Sequence, residues 1–84
     1  MQYYSEIIVT FKDSAKDTQG SVIETILKRM NIDKNSKVST GKYFSITIEA
    51  DSEKSAEKKI RTVCEEVFID PLLETYKITR LEKK

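Results

Sequence analysis

The chain has no histidine among its 84 residues, so it lacks the side chain that most often transfers protons near neutral pH. Its serines, threonines and single cysteine are therefore without the usual activating base. Cys64, the one cysteine, cannot form a disulfide within the chain, and alone it falls short of the ligands that a structural zinc site needs. These absences exclude the common nucleophile–base pairs and a structural zinc site.

Glycine and long apolar runs are also scarce. With only Gly20 and Gly41, the chain cannot form a glycine-rich phosphate loop of the dinucleotide or Walker kind. The longest apolar runs, 7–9 and 67–69, fall far short of the roughly 20 residues that a membrane span needs. Glu6 stands in the region where a signal peptide would carry lysine or arginine. We therefore expect a soluble, cytoplasmic protein with no membrane contact.

Basic and acidic residues nearly cancel, at 15 and 14, and the net charge is +1. This balance provides no field for binding a polyanion, which disfavours nucleic acid as a partner. The length leaves room for one hydrophobic core, so residues 1–84 are expected to form a single domain.

Alternating apolar and polar side chains predict strands at residues 4–11, 38–50 and 76–81. Gly41 and Lys42 interrupt the middle stretch. This interruption favours a tight hairpin between two strands over a bulge in one long bent strand. Four strands are therefore expected.

Apolar residues at helical spacing predict two helices, close to residues 18–31 and 52–68. Asp17 or Thr18 can cap the first helix, and Pro71 prevents the second from continuing. Each helix has one apolar stripe to bury. The residues expected in the core from the two stripes are Val22, Ile26, Leu27, Ile60, Val63, Cys64 and Val67.

The resulting order of elements, βαββαβ, predicts an α+β fold. We expect a two-layer sandwich in which both helices cover one face of a mainly antiparallel sheet, in a ferredoxin-like outline. Such a sheet leaves its other face and its edge strands in need of cover. Ile8, Tyr43 and Tyr76 are expected to form an apolar patch on that uncovered face, which symmetric pairing of two copies would bury.

The second predicted helix carries the residues that would have to supply any chemistry. Cys64 lies on its apolar stripe, which predicts a buried and unreactive thiol. Its acidic residues are interpreted as a solvated face rather than as metal ligands. Those acidic residues are Glu53, Glu57, Glu65 and Glu66.

The segment from Gly41 to Ile48 has a weak likeness to the aromatic strand of an RNA-recognition module, because Tyr43 could stack on a base. It lacks the second small residue of that motif, and no matching aromatic strand or basic stripe accompanies it. A stand-alone RNA- or small-molecule-binding module is therefore kept as the alternative function.

Four short motifs occur in an order that matches one family. They are Asp17–Gly20 before an amphipathic helix, Gly41–Tyr43 at mid-chain, Cys64–Glu65, and Pro71-x-x-Glu74-x-Tyr76 near the end. Together they resemble the PurS family, the small subunit of phosphoribosylformylglycinamidine (FGAM) synthase, over nearly the whole chain. Thr18 departs from the pattern, since many relatives have proline there, but a proline in the first helical turn is replaceable.

The resemblance implies a place in the fourth step of purine synthesis, where FGAM synthase consumes ATP and glutamine. In that family a large ATP-dependent subunit binds the ribonucleotide and a glutaminase releases ammonia. The small chain is implied to be non-catalytic but required by this C–N ligase, and to pair as a homodimer, with a tetramer left open. It is expected to join the other two subunits and to support ammonia transfer.

The same resemblance implies that this chain binds no cofactor, with ATP and Mg held by the large subunit. Loop and turn positions on a rigid sandwich are also where partner contacts are usually built. The residues singled out for protein interaction are Gln19, Gly20, Gly41, Lys42, Tyr43, Pro71, Glu74 and Tyr76.

Overall fold

The computed structural model describes all 84 residues and contains three strands and two helices. A single π-helical turn, Cys64–Phe68, continues the second helix. None of the helices is long and apolar enough to cross a bilayer. The elements are β1 (Gln2–Phe11), α1 (Thr18–Arg29), β2 (Gly41–Glu49), α2 (Glu53–Val63) and β3 (Glu74–Lys83).

The strands form one antiparallel sheet in the order β2-β1-β3. In register, Ile7 of β1 lies between Phe44 of β2 and Ile78 of β3. A bulge interrupts the pairing of β1 with β3 between Glu6 and Ile7, and Thr79 is the unpaired residue. The predicted α+β class and antiparallel sheet are confirmed.

The predicted hairpin at Gly41 and Lys42 is wrong. Gly41 is the first residue of β2, which runs unbroken to Glu49, and the sheet has three strands instead of four. A two-residue hairpin needs a residue with positive φ, and neither glycine of this chain has one. Residues 37–40 lead into β2 without pairing with another strand.

The core lies between α2 and one face of the sheet, here called the inner face. Ile7 and Val9 from β1 meet Ile60 and Cys64 from the helix, and all four are fully buried. Alternation along β1 explains this, because every second side chain points to the same face. The predictions for Ile60 and Cys64 are confirmed.

Val67 is an exception on the α2 side, with 70% of its surface exposed. The π turn is the reason: Ile69 N–H donates to the Cys64 carbonyl at 3.1 Å, five residues back, so each side chain of this turn is rotated from its α-helical position. Phe68 is half-buried and its ring stacks on Phe44 at 4.0 Å between ring centroids. The prediction that Val67 is buried is therefore wrong.

The first helix does not cover the sheet, whereas α2 packs against β1 and β3. The radius of gyration is 16.6 Å, against about 12 Å for a compact domain of this length. Strand β1 measures about 33 Å and α1 about 18 Å. Laid end to end they account for the 53 Å long axis. We call α1 with the returning residues 33–40 the α1 arm, which prolongs the sheet.

The arm leaves its apolar stripe in solvent. Val22 is 53% exposed and Ile26 42%, so the prediction that both are buried is wrong. Leu27 is half-buried, as is Val63 on α2. The stripe has the predicted helical spacing, but no element of the same chain lies opposite it.

Candidate functional site

Most of the residues singled out from the sequence meet at one end of the sheet. Here β1 ends at Phe11, while β2 begins at Gly41, β3 begins at Glu74 and α1 begins at Thr18. These ends surround a small cavity of about 100 Å³, here called the sheet-end pocket. Its lining residues are Val9, Thr10, Phe11, Gln19, Thr40, Gly41, Lys42 and Glu74.

An ion pair spans the inner face at this end. Lys42 Nζ lies 3.4 Å from Glu74 Oε2, and the two residues stand on the outer strands with β1 between them. Glu74 is only 8% exposed, and its other oxygen accepts the Asp70 backbone N–H at 2.8 Å. The buried carboxylate therefore ties the start of β3 to both β2 and the preceding turn.

Asp17 joins α1 to the residues that enter β2. Its Oδ1 accepts the Gly20 N–H at 2.8 Å and the Thr40 hydroxyl at 2.7 Å, while Oδ2 accepts the Thr40 N–H at 2.6 Å. Asp17, rather than Thr18, is thus the N-cap of the helix. The hydrogen bonds from Thr40, followed by the one from Gly20, lower the pKa of Asp17.

Both glycines are required by close backbone approach. A Cβ on Gly20 would collide with the Val38 carbonyl oxygen, and a Cβ on Gly41 would collide with the Val9 carbonyl oxygen. Gly20 therefore lets α1 lie against the returning segment, and Gly41 lets β2 begin against β1. Their role in this chain is to shape the base of the arm.

Pro71 lies in the turn before β3, next to the same end of the sheet. Lys12 holds this turn with two hydrogen bonds. Its backbone N–H donates to the Leu73 carbonyl at 2.9 Å, and its side-chain Nζ donates to the Pro71 carbonyl at 2.5 Å. Leu72 is 82% exposed at the tip of the turn. One backbone and one side-chain hydrogen bond from Lys12 thus fix a turn that presents an apolar side chain to solvent.

Tyr43 lies on the open face of the sheet, opposite the inner face, and is 59% exposed. Around it, the Tyr4 hydroxyl donates to Glu6 Oε2 at 2.7 Å, and Arg80 lies 3.8 Å from the same oxygen. Hydrogen bonding with Tyr4 and then Glu6 raises the pKa of Tyr43. The bond from Tyr4 is the main cause that lowers the pKa of Glu6. Tyr43 is thus paired with the exposed Ile8, as expected, and also lies beside the polar group of Tyr4, Glu6 and Arg80.

Tyr76 lies on the inner face, half-buried against the core and paired with Val9. Its hydroxyl donates to Glu65 Oε2 at 2.7 Å and accepts from Arg61 Nη1 at 3.5 Å. The bond to Glu65 is the main cause that raises the pKa of Tyr76. The expected patch of Ile8, Tyr43 and Tyr76 on one face is therefore wrong, because strand alternation puts Tyr76 on the other side.

Three residues of this region were not among those singled out from the sequence: Lys12, Asp17 and Thr40. Asp17 was identifiable as a helix cap and as part of the Asp17–Gly20 motif, but not as the partner of Thr40, which is distant in the chain. Lys12 and Thr40 carry no local signal. Pairing between distant residues brings each of them to the sheet end.

The site contains no cluster of metal-binding side chains and no accessible thiol. No three histidine, cysteine, aspartate or glutamate side chains lie close enough together to hold a metal ion. The Cys64 thiol is buried, and burial is the main cause that raises its pKa, which disfavours the thiolate. The fold and the sheet-end pocket define a small α+β protein in which one helix packs on an antiparallel sheet and the other projects with an exposed apolar stripe.

Comparison with known proteins gives the family. The family model for PurS, phosphoribosylformylglycinamidine (FGAM) synthase, matches residues 4–82. The FGAM synthase subunit PurS of Synechocystis sp. is 33% identical over 82 residues, which cover 95% of this chain and 82% of that protein. The chain belongs to the PurS family and is a subunit of FGAM synthase.

Solved structures of the family share the fold. Bacillus subtilis PurS superposes with a TM-score of 0.83 at 28% identity, covering 96% of this chain and 99% of that one. A chain in the structure of PurLQS from Thermotoga maritima gives 0.81 at 24% identity, covering 93% and 95%. The resemblance inferred from the four motifs is confirmed.

Proposed function

We propose that this chain is the non-catalytic assembly subunit of FGAM synthase. It joins the large ATP-dependent subunit to the glutaminase and supports the transfer of ammonia between them, as one domain over residues 1–84 in the cytoplasm. The observation that carries the proposal is the family match over residues 4–82. The relative from Synechocystis is itself named as a subunit, and the solved PurLQS structure contains a chain of this fold.

The absence of histidine and of a phosphate loop supports a non-catalytic role. ATP and Mg are accordingly assigned to the large subunit. This chain then contributes by holding surfaces in place, and a rigid sheet with a projecting arm suits that task.

A homodimer is part of the proposal. The apolar stripe of the α1 arm lies in solvent, and a small monomer seldom leaves such a stripe uncovered. Burial in a second copy would remove it from water and shorten the exposed arm. Pairing of two dimers into a tetramer would need a further surface.

The residues proposed to contact partners are those around the sheet-end pocket and its two flanking faces. Gln19 and Lys42 line the pocket, and Pro71 lies in the adjoining turn. Glu74 holds Lys42 in place, while the glycines shape the arm that frames the pocket. The full set is Gln19, Gly20, Gly41, Lys42, Tyr43, Pro71, Glu74 and Tyr76.

Reconstitution tests the proposal. The chain is purified with a large synthetase subunit and a glutaminase from the same genome, and glutamine-dependent FGAM formation is measured with and without it. We expect activity and a three-chain complex on size-exclusion chromatography only when the chain is present, and no ATPase or glutaminase activity from the chain alone. Full activity of the other two subunits without this chain would overturn the proposal.

Truncation of the two tyrosines tests the site residues. We expect Tyr43→Ala and Tyr76→Ala each to weaken assembly about 30-fold, because tyrosines that become buried on association are common anchors of interfaces. Binding is measured by titration of the large subunit and by dimer dissociation. Lys54→Ala, on the exposed face of α2 and outside every pocket of the surface, serves as the control and should change neither. If both tyrosine variants assemble like the parent, the assignment of these residues to partner contacts is wrong, although the family assignment still holds.

RNA binding by the chain on its own is the alternative function, and the reconstitution experiment distinguishes it from assembly of the synthase. The tyrosines of the open face lie beside the carboxylate of Glu6, and Glu82 faces the same surface through its bond to Arg80. Carboxylates repel phosphates, so this face is a poor platform for RNA. RNA binding by the isolated chain with a steep salt dependence would favour the alternative.

A further inference from the structure

The segment that joins α2 to β3 exposes three large apolar side chains. Leu72 is 82% exposed and Leu73 47%, while Val67, in the π turn just before them, is 70% exposed. Leu72 and Val67 are the two most exposed large apolar side chains of the chain. Scattered exposed apolar residues are ordinary, but three in one short segment indicate a contact surface. We call Val67, Leu72 and Leu73 the apolar tip.

The turn that carries the two leucines is held rigidly. The Leu72 N–H donates to Asp70 Oδ1 at 3.0 Å, and the Leu73 N–H donates to the Asp70 carbonyl at 3.0 Å. The same carbonyl accepts the Glu74 N–H at 2.8 Å, and Lys12 ties the turn to the end of β1. A surface that is already ordered loses little conformational entropy when a partner binds it. The apolar tip is therefore preorganised for contact.

The charge around the apolar tip is negative. Residues 64–73 contain three acidic residues and no basic one. The fold brings basic side chains near, but Lys12 donates to the Pro71 carbonyl and Arg61 pairs with Glu57. The surface therefore complements an apolar partner surface with positive charge at its rim. The three acidic residues are Glu65, Glu66 and Asp70.

The stability of the helix does not account for this negative charge. The carboxyl end of a helix favours basic side chains and disfavours acidic ones. Helix α1 follows this rule, since its last turn carries Lys28 and Arg29. The π turn that ends α2 instead carries Glu65 and Glu66 and has no basic residue in its last turn. A positively charged partner would offset the unfavourable interaction of these acids with the helix end.

A second copy of the chain is a poor occupant of the apolar tip. In a symmetric pair the same patch lies on both sides of the interface. Such pairing of two tips would place the acidic residues of one copy against those of the other, and like charges across an interface disfavour association. The occupant is therefore expected to be a different chain.

We propose that the apolar tip inserts into an apolar pocket, rimmed by lysine or arginine, on another subunit of FGAM synthase. Leu72 is the anchor of this contact, and Glu66 faces the positive rim. The inference rests on the proposed function, because it names the chemistry of the surface that this chain uses to join the complex.

Leu72→Asp tests the anchor. Only the backbone N–H of Leu72 bonds within the turn, so the substitution should leave the fold unchanged. Binding to the large subunit and to the glutaminase is titrated separately by calorimetry. We expect Leu72→Asp to weaken binding to one of them at least about 30-fold, because it places a charge in an apolar pocket. Leu72→Met, which keeps an apolar side chain, should stay within about threefold of the parent.

Lys54→Asp is the matched control for the added aspartate. It lies on the exposed face of α2 and changes the net charge by more than Leu72→Asp does, yet it should bind both subunits like the parent. Unchanged binding of Leu72→Asp to both subunits would overturn the inference and leave the proposed function intact. Loss of the homodimer in Leu72→Asp, with unchanged binding to both subunits, would show that a second copy covers the tip and would also overturn it.

Glu66→Lys tests the charge of the rim with two readouts of opposite sign. A lysine at the carboxyl end of the helix should raise the Tm of the isolated chain by about 2–6 °C. The same change should weaken binding to the partner subunit about fivefold at low salt, and the loss should shrink as salt is added. Glu53→Lys, at the amino end of α2, is the control and should lower Tm without changing binding.

A Glu66→Lys variant that binds as tightly as the parent would overturn the positive rim. If the parent chain itself binds neither subunit, the proposed function fails and the inference fails with it.

Discussion

The two helices of this chain have similar patterns and opposite surroundings. In α2, Ala56 and Ile60 are fully buried against the sheet. In α1, the corresponding stripe of Val22 and Ile26 faces solvent, and only Gly20 is buried. Amphipathic spacing therefore indicates that a helix needs an apolar partner surface, but it does not indicate which element or which chain provides that surface. The measurements below are ordered from the largest expected difference between the α2 layer and the α1 arm to the smallest.

Thiol labelling should separate the two regions most strongly. Cys64 is fully buried, and its labelling requires opening of the α2 layer, whereas Val22→Cys in a Cys64→Ser background needs no opening. For a domain of ordinary stability we expect Cys64 to react on the order of 1,000-fold more slowly. Reaction is followed with a chromogenic disulfide at protein concentrations where the chain is monomeric.

Denaturation in urea supplies the control for this labelling, because Cys64 should then react at the rate of Val22→Cys. Rapid labelling of native Cys64 would contradict the packing of α2 described here.

Shortening one side chain in each helix should give unequal losses of stability. Ile60→Ala removes a fully buried side chain and is expected to lower the free energy of unfolding by about 2–5 kcal/mol. Ile26→Ala, at the same low protein concentration, should change it by less than about 0.5 kcal/mol. Urea unfolding followed by circular dichroism measures both. Equal losses would show that α1 packs on its own sheet.

The base of the arm should respond to acid through Asp17. Its pKa is lowered below the ordinary 3.8, so its hydrogen bonds stabilise the fold fully above that value and are lost as pH falls through the lowered pKa. Asp17→Ala should lower Tm by about 5 °C at pH 7, through loss of the helix cap and of both bonds to Thr40.

Asp17→Asn is the matched variant for this effect. It retains cap geometry but cannot titrate, so its Tm should fall less steeply than that of the parent from about pH 4 to about pH 2, the range below the ordinary aspartate pKa. An identical pH profile in parent and variant would show that the acid response arises elsewhere.

The smallest effect is expected at the ion pair of the sheet end. Lys42 is 58% exposed, and such pairs contribute little, so Lys42→Met should cost about 0.5 kcal/mol. Glu74→Ala should cost more, about 1–3 kcal/mol, because the Asp70 N–H loses its acceptor. Urea unfolding again provides the measurement. A larger loss for Lys42→Met than for Glu74→Ala would reverse the roles assigned to the pair.

Much of the architecture could be predicted because its causes are local. Strand β1 and helix α2 follow from alternation and periodicity, and the position of Pro71 explains where the second helix must stop. The hairpin at Gly41 was wrong for a local reason too: glycine signals both positive φ and close approach, and here it serves approach to the Val9 carbonyl. Sequence cannot separate these two uses.

The residues of the candidate site were predictable only one at a time. Lys42 and Glu74 each belong to a family motif, yet their ion pair depends on two strands lying on either side of β1. The same holds for Asp17 and Thr40, which meet because α1 folds back along the entry to β2. Such pairs depend on strand order, which has no local signal.

The sequence by itself determined the α+β class, the near-neutral charge, the absence of histidine and the membership in the PurS family. All four depend on composition, local spacing or the order of motifs along the chain. The tertiary structure alone decided that α1 projects from the sheet, that Tyr43 and Tyr76 lie on opposite faces, and that Val67 turns outward. The reason is physical, because an apolar stripe indicates only that its burial is favourable. Which surface is available to bury it depends on the strand order, the single π turn and the close backbone approaches at Gly20 and Gly41.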